Sequence, residues 1–237
     1  MTMHAARTGV TSPSRSGIGH CCAAHAPDGL RAAMVAASGD ESPVTHPGTL
    51  RPKAIVRDYP LIDELLDARR AIFGGDDQEA VFRGYRSHAY HILNFARQWI
   101  EPTGDSDDKL AICAVFHDLA AWPDDNLDYL RPSADQADAY LDAIGRSDWK
   151  PAMRLMIESH HKITRYRAEH AYWVEPVRRA DWCDVSFNLL RFGLPGTFIR
   201  EVNAAFPIGA FYPGHVARVS LKWVLRHPLN PLPILRW

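Results

Sequence analysis

From Tyr59 onward, apolar residues recur every three or four positions, and few stretches alternate apolar and polar residues with a period of two. The first spacing places apolar side chains on one face of a helix, whereas alternation is typical of a strand. The pattern therefore predicts an all-α fold with eight helices. Their predicted ranges are residues 60–73, 77–100, 107–121, 133–144, 148–162, 170–191, 196–204 and 214–226.

Capping residues and prolines refine these boundaries. Asp107 and Ser133 are predicted N-caps, because their side chains can accept hydrogen bonds from the first free N–H groups of a helix. Pro102 and Pro132 fall near helix boundaries. Pro176 is expected either in the first turn of its helix or at a kink, because proline cannot donate an intrahelical hydrogen bond.

Residues 1–50 differ in composition from the rest of the chain. They are rich in Ala, Gly, Ser, Pro and Thr and contain few large apolar side chains, so burial cannot offset the entropy of ordering them. We predict a disordered N-terminal extension at residues 1–50 and one helical domain at residues 51–237. An organellar transit peptide is an alternative for residues 1–27, as is translation starting at Met34.

Charge and composition exclude several classes of function. The net charge of the 237-residue chain is −1, which gives no overall field for attracting nucleic acid or an anionic membrane. No apolar stretch approaches the roughly 18 residues of a membrane span, and the four cysteines show no CxxC spacing. We therefore expect a cytoplasmic protein that binds neither nucleic acid nor membrane. A homodimer stays open.

Three of the predicted helices each turn a His or Asp toward the core. His88 shares a face with Ile92 and Phe95, and Asp181 shares one with Val177. A buried carboxylate is costly unless a partner or a metal ion compensates its charge. The candidate metal ligands are His88, His117, Asp118 and Asp181. Two imidazoles and two carboxylates without thiolate suit one divalent ion among Mn, Fe, Co, Ni, Mg and Zn.

Longer motifs extend this set of ligands. They are YRSH at 85–88, AVFHDLAAW at 114–122, DYLRPS at 128–133, ESHHK at 158–162, RRADWCDVS at 178–186, FPIGAFYPGH at 206–215 and HPLNPLPILRW at 227–237. Together they resemble the HD-domain metal-dependent phosphohydrolases over roughly residues 55–237. The resemblance implies an HD-domain-like helical bundle in which His88 is the first ligand, His117 and Asp118 form the doublet, and Asp181 is the last ligand. Many HD proteins carry a glycine soon after the doublet, where this chain has Leu119-Ala120-Ala121, a departure that changes no ligand.

Neighbouring histidines leave alternatives open. His91 competes with His88 as a ligand, and the resemblance favours His88, which makes His91 a rim or packing residue. In two-metal HD enzymes, further histidines bind a second ion, and His160 or His161 is available for it. Since adjacent helical residues diverge by about 100°, only one of these two is expected to point squarely inward. We expect His161 and Lys162 to contact a substrate phosphate, with a second metal, or an exposed Lys162, as alternatives.

Three further residues are candidates for substrate binding. Arg86 and Arg131 could clamp a phosphate group, although an ion pair with a protein carboxylate explains each of them equally well. Asp128 follows the doublet in a predicted loop, where it could position water or be solvated.

The expected function is that of a metal-dependent hydrolase acting on a nucleotide or another small phosphoester. The ion would polarise a phosphoryl oxygen and acidify a water molecule, and Asp118 would orient that water. Two rivals stay open. A di-iron oxygenase of the HD fold needs more than four ligands, and a non-catalytic sensor module would keep the fold and the metal without turnover.

Overall fold

The computed structural model describes residues 51–74, 78–122, 127–209 and 211–229. The predicted disorder of residues 1–50 and the end of the HPLNPLPILRW motif lie outside these ranges. Within them the chain forms eight α-helices and no strands, which confirms the all-α prediction. The helices are α1 Pro60–Asp67, α2 Gln78–Ala96, α3 Gly104–Phe116, α4 Leu130–Ala143, α5 Lys150–Ser159, α6 Ala171–Val185, α7 Gly196–Ala205 and α8 Ala217–Arg226.

The predicted start of α3 is wrong, because a reciprocal cap lies upstream of Asp107. Thr103 accepts a hydrogen bond from the backbone N–H of Ser106 (3.0 Å), and the Ser106 hydroxyl accepts one from the N–H of Thr103 (2.7 Å). This capping box satisfies two free donors at once, so the helix begins at Gly104. Asp107 instead forms an ion pair with Arg97 (2.8 Å).

Ser133 is not an N-cap either, because α4 begins three residues earlier, at Leu130. The Ser133 side chain is buried, and its hydroxyl accepts a hydrogen bond from the N–H of Ala120 (3.1 Å). Ser133 thus holds the chain that follows the His-Asp doublet. Pro176 lies beyond the first turn of α6, which begins at Ala171, so the helix lacks one internal hydrogen bond there.

Helix α2 is the centre of the bundle. It packs against α3 and α6. Around this core, α5 packs against both α4 and α6, and α1 packs against α3. From Tyr85 to Ala96 every residue of α2 except Arg86 is buried, so this helix has no solvent-facing side over that stretch. Its polar side chains, His88 and His91 among them, must therefore find partners inside the protein.

The chain after α7 returns to α2 through a close approach at Gly84. Residues Phe211–Val216 form a π-helical segment before α8, and a Cβ atom built at Gly84 would lie 2.6 Å from the Cβ of Phe211. Real Cβ atoms do not approach each other this closely, so the contact requires glycine in the middle of α2. None of the described helices combines the length and the apolar character needed to cross a membrane.

We expect Gly84→Ala to destabilise the protein. Alanine stabilises a helix interior by about 1 kcal/mol relative to glycine, but the added methyl group would displace Phe211. The free energy of unfolding, measured with urea, should therefore fall by about 1–2 kcal/mol.

The matched control is Gly104→Ala, in the first turn of α3, where an added Cβ meets nothing within 4 Å. This control should change stability by less than about 0.5 kcal/mol. A Gly84→Ala protein at least as stable as the parent would contradict the close approach.

Candidate metal centre

Six residues from four helices meet at one buried point. They are His88 on α2, His117 and Asp118 at the end of α3, His160 and His161 at the end of α5, and Asp181 on α6. We call this set the His/Asp centre. It contains all four predicted ligands together with the two histidines of the ESHHK motif.

The adjacent residues His117 and Asp118 converge because α3 ends just before them. The helix ends at Phe116, and the backbone of Asp118 has already left helical geometry, with φ −114° and ψ 7°. The two side chains therefore turn to the same point, and Nε2 of His117 lies 3.5 Å from Oδ2 of Asp118.

Both His160 and His161 face the centre, so the expectation that only one of them points inward is wrong. Nε2 of His160 lies 3.2 Å from Oδ1 of Asp118, and Nδ1 of His161 lies 3.2 Å from Oδ2 of Asp181. The reason is local: α5 ends at Ser159, and beyond a helix end the angular separation of 100° between neighbours no longer applies.

Three histidines of the centre are oriented in the same way. Nδ1 of His88 hydrogen-bonds to Asp184 (2.6 Å), Nδ1 of His117 to the carbonyl of Ala114 (3.0 Å), and Nδ1 of His160 to the carbonyl of Ile157 (2.6 Å). These partners accept, so each ring donates its Nδ1–H. In a neutral imidazole the other nitrogen, Nε2, then carries a lone pair, and all three Nε2 atoms face the centre.

These ring nitrogens and the carboxylates lie very close together. The Nε2 atoms of His88 and His117 are only 3.0 Å apart. Among the described residues, four buried ligand-type atoms have no hydrogen-bond partner of good geometry: Oδ1 of Asp118, both carboxylate oxygens of Asp181, and Nε2 of His160. Their nearest polar neighbours are ring nitrogens of His160 and His161, at 3.2 Å from Asp118 and Asp181. Buried polar atoms without a partner are rare and call for an explanation. A bound metal ion, which needs such nitrogen and oxygen donors, supplies one.

The electrostatics of the centre agree with this reading. Burial by itself would raise the pKa of Asp181, but His161 and His160 outweigh it and hold the pKa below its ordinary value. Burial lowers the pKa of His117 to about 4, so this ring is neutral at physiological pH, as a metal ligand must be. Burial opposes a charge on His88 as well, yet Asp184, Asp181 and Asp118 raise its pKa, which shows how strongly this site favours a positive charge.

A second group of residues holds the first ligand in place. Asp184 accepts hydrogen bonds from Nδ1 of His88, from Nδ1 of His91 (2.6 Å) and from the hydroxyl of Tyr212 (2.6 Å). A carboxylate that accepts from a ligating histidine fixes the orientation of its ring and makes it a stronger ligand. His91 is a buried packing residue rather than a rim residue. Its Nε2 lies 2.8 Å from the carbonyl oxygen of Phe206, which accepts a hydrogen bond from it.

Sequence reasoning missed Asp184 and Tyr212. The signal for Asp184 was present, because it lies three residues after Asp181 and so shares its helix face. Tyr212 lies in the FPIGAFYPGH motif, but no spacing connects it with His88, which is 124 residues away in the chain; its hydroxyl nevertheless lies 2.8 Å from Nδ1 of His88.

The predicted substrate residues are placed differently. Arg86 forms a two-point ion pair with Asp63 (2.7 and 3.0 Å), which matches the ion-pair alternative. Asp128 and Arg131 are exposed on either side of the start of α4. Lys162 is half-buried and follows His161 directly. Their roles toward a substrate stay predictions.

Asp184→Asn should weaken metal binding without unfolding the protein. The amide keeps the shape of the side chain but accepts hydrogen bonds at only one atom, so it cannot serve His88 and His91 together. We expect the metal dissociation constant, measured by competition with a chromophoric chelator, to rise about 10–100-fold.

The matched variant Tyr212→Phe removes one hydroxyl and leaves both histidine contacts of Asp184 in place. It should raise the dissociation constant less than Asp184→Asn does. A folded Asp184→Asn protein with unchanged metal affinity would show that Asp184 does not support the ligand.

Comparison of the chain with protein-family models, with curated proteins and with solved structures found no match in any of the three. What the centre can do is therefore argued from its own residues. Its buried histidines and aspartates could hold a metal ion, in the groups His88–His117–Asp118, His117–His160–Asp181 and Asp118–His160–His161.

Proposed function

We propose that this chain is a metal-dependent hydrolase that cleaves a phosphoester, with a nucleotide or another small phosphorylated metabolite as substrate. The observation that carries the proposal is the convergence of three Nε2 lone pairs, from His88, His117 and His160, on two buried carboxylates. The substrate class is supported by the resemblance to HD-domain phosphohydrolases alone.

In this proposal His88, His117, Asp118 and Asp181 hold the first ion. Two neutral imidazoles and two carboxylates match the charge of a divalent cation, and this donor set suits a catalytic site with open positions rather than a closed structural one. A divalent ion bound there supplies Lewis acidity toward a phosphoryl oxygen and lowers the pKa of water.

Asp118 is assigned the second role of orienting the attacking water and accepting its proton. Its side chain is 14% exposed, whereas those of His88, His117, His160 and Asp181 are at most 1% exposed. Water and substrate can therefore reach the centre from the side of Asp118. Hydrolysis then forms a bond from the water oxygen to phosphorus and breaks the phosphorus–oxygen ester bond.

His161 and Lys162 are assigned to the departing group. His161 is 10% exposed and lies beside Asp181, and the hydroxyl of Tyr129 is 2.8 Å from its Nε2. A ring in this position can hold a proton for the leaving oxygen. Lys162 follows in the chain and offers a positive charge to the phosphate, and the exposed Asp128 and Arg131 flank Tyr129, where they could contact the rest of a substrate.

A di-iron oxygenase is the second candidate, and one observation favours it. Such an enzyme needs more than four ligands, and the centre contains six residues of ligand type because His160 and His161 both face it. Metal analysis of protein purified without oxygen separates the two candidates. Two irons per chain together with substrate-dependent oxygen uptake would favour the oxygenase, whereas release of inorganic phosphate from a phosphoester panel would favour the hydrolase.

Asp118→Asn should nearly abolish hydrolysis while the protein stays folded. The amide has a similar shape, but it neither neutralises a cation nor accepts a proton from water. We expect phosphate release by the metal-loaded variant to fall by about 10²–10⁴-fold, with the thermal midpoint close to that of the parent.

Asp148→Asn is the matched control, because this aspartate is exposed and lies outside the centre. Its activity and metal content should equal those of the parent. An Asp118→Asn protein that unfolds, yet binds metal normally in its folded fraction, would contradict the catalytic role assigned to Asp118. A parent protein that binds metal but turns over no substrate would favour the sensor module.

A further inference from the structure

A cavity of about 430 Å³ lies on the side of α6 that faces away from the His/Asp centre. None of the residues that line it belongs to the centre. Its charged and aromatic walls come from three segments of the chain. They are formed mainly by Arg165, Arg178, Arg179, Trp182, Leu190 and Phe192.

The spacing along α6 explains why one helix serves two sites. Glu175, Arg178 and Trp182 recur every three or four residues and so share one face, which lines the cavity. Asp181 and Asp184 share another face, which carries the centre and its support. The cavity is therefore a separate structural feature rather than an extension of the metal ligands.

The cavity has more positive than negative charge. Glu175 is its one carboxylate, and it accepts hydrogen bonds from Nε and Nη2 of Arg178 (2.7 and 2.8 Å) and from Nε of Arg179 (2.8 Å). Burial would raise the pKa of Glu175, but hydrogen bonds from Arg178 and from the N–H of Tyr166 outweigh it, so this carboxylate is ionised. Three arginines thus face one carboxylate.

The guanidinium groups of Arg165 and Arg179 have N–H donors that form no hydrogen bond within the described protein. Over the described part of the chain, no acceptor takes a hydrogen bond from Nη1 or Nη2 of Arg179, or from any nitrogen of Arg165. The Arg179 side chain is 14% exposed, and its guanidinium carbon lies 5.5 Å from the centre of the Trp99 ring. Paired N–H groups of this kind match the oxygen atoms of a phosphate, sulfonate or carboxylate.

The remaining wall is apolar and partly strained. Two large apolar side chains of this wall are accessible to solvent: Leu190 is 46% exposed and Phe192 is half-buried. Phe192 has a positive φ of 48°, which is unfavourable for an aromatic residue. This conformation sets its ring 5.5 Å from the guanidinium carbon of Arg178. Strained backbone of this kind persists where the surrounding structure imposes it, as at ligand clamps.

We propose that this cavity binds a small organic anion that carries a flat apolar ring. The free guanidinium donors of Arg165 and Arg179 take the anionic group, and Trp182, Leu190 and Phe192 cover the ring. The volume falls within the range of about 300–1,000 Å³ that is usual for small-molecule sites. Aryl phosphates, aryl sulfonates and aryl carboxylates share the required chemistry. This site is independent of the proposed hydrolysis.

Fluorescence titration with 8-anilinonaphthalene-1-sulfonate tests the proposal on the full chain. This probe has an aromatic body and one anionic group, and N-phenyl-1-naphthylamine is a neutral probe of similar shape. The double variant Arg165→Ala/Arg179→Gln should raise the dissociation constant of the anionic probe about tenfold and leave that of the neutral probe within about twofold. Arg178 continues to pair with Glu175 in this variant.

Arg167→Ala is the matched control, since Arg167 is an exposed arginine two residues from Arg165 that does not line the cavity. It should leave the binding of both probes unchanged. Leu190→Glu is a second variant that introduces a negative charge at an exposed wall position without disturbing the core. It should weaken the anionic probe at least as much as the double variant does.

The ring and the charge are tested separately by displacement. Phenylphosphonate should displace the anionic probe at a lower concentration than methylphosphonate does. Equal displacement by the two phosphonates would overturn the requirement for a ring. Probe binding that neither the double variant nor Leu190→Glu weakens would place the probe on another apolar surface and overturn the site.

Discussion

The packing of histidine lone pairs against buried carboxylates is the constraint on which the rest of this structure depends. Backbone carbonyls of Ala114 and Ile157, and the carboxylate of Asp184, occupy one nitrogen of each ring and so direct the other toward the same point. Groups of like polarity that are removed from water destabilise a fold unless a cation joins them. The helices therefore place these side chains where a metal ion could compensate their charge. Helix α2, which is buried on all sides from Ser87 to Ala96, holds His88 in this position.

Helix α6 connects this centre with the arginine-rich cavity behind it. The carbonyl of Lys162 accepts hydrogen bonds from Nη1 of Arg178 (3.2 Å) and from Nε1 of Trp182 (3.1 Å). Lys162 follows directly after His160 and His161, so the cavity face of α6 holds the turn that carries both histidines. The position of two residues of the centre is thus set by side chains that line a different site.

The sequence predicted the helical class and the meeting of His88, His117, Asp118 and Asp181, because both follow from a period of 3.6 residues along long buried helices. It failed where a helix end decides the outcome. Nothing after Ser159 marks the end of α5, so His160 and His161 were treated as helical neighbours. Asp107 is a good capping residue by type, yet Thr103 and Ser106 satisfy two donors together and set the start of α3. The contacts of Tyr212 with His88 and Asp184 form only in the folded chain, so the periodicity of the sequence does not indicate them.

The contact between Tyr212 and the pair His88–Asp184 has a consequence for the order in which the protein is made. A ribosome has added His117, His160 and Asp181 to the growing chain before Tyr212 exists, and 124 residues separate Tyr212 from His88. A nascent chain that ends before Phe211 therefore has every candidate ligand but lacks both the hydroxyl that binds Asp184 and the ring that packs on Gly84. The contacts of Tyr212 with His88 and Asp184, and that of Phe211 with Gly84, can therefore form only after the C-terminal segment has been synthesised.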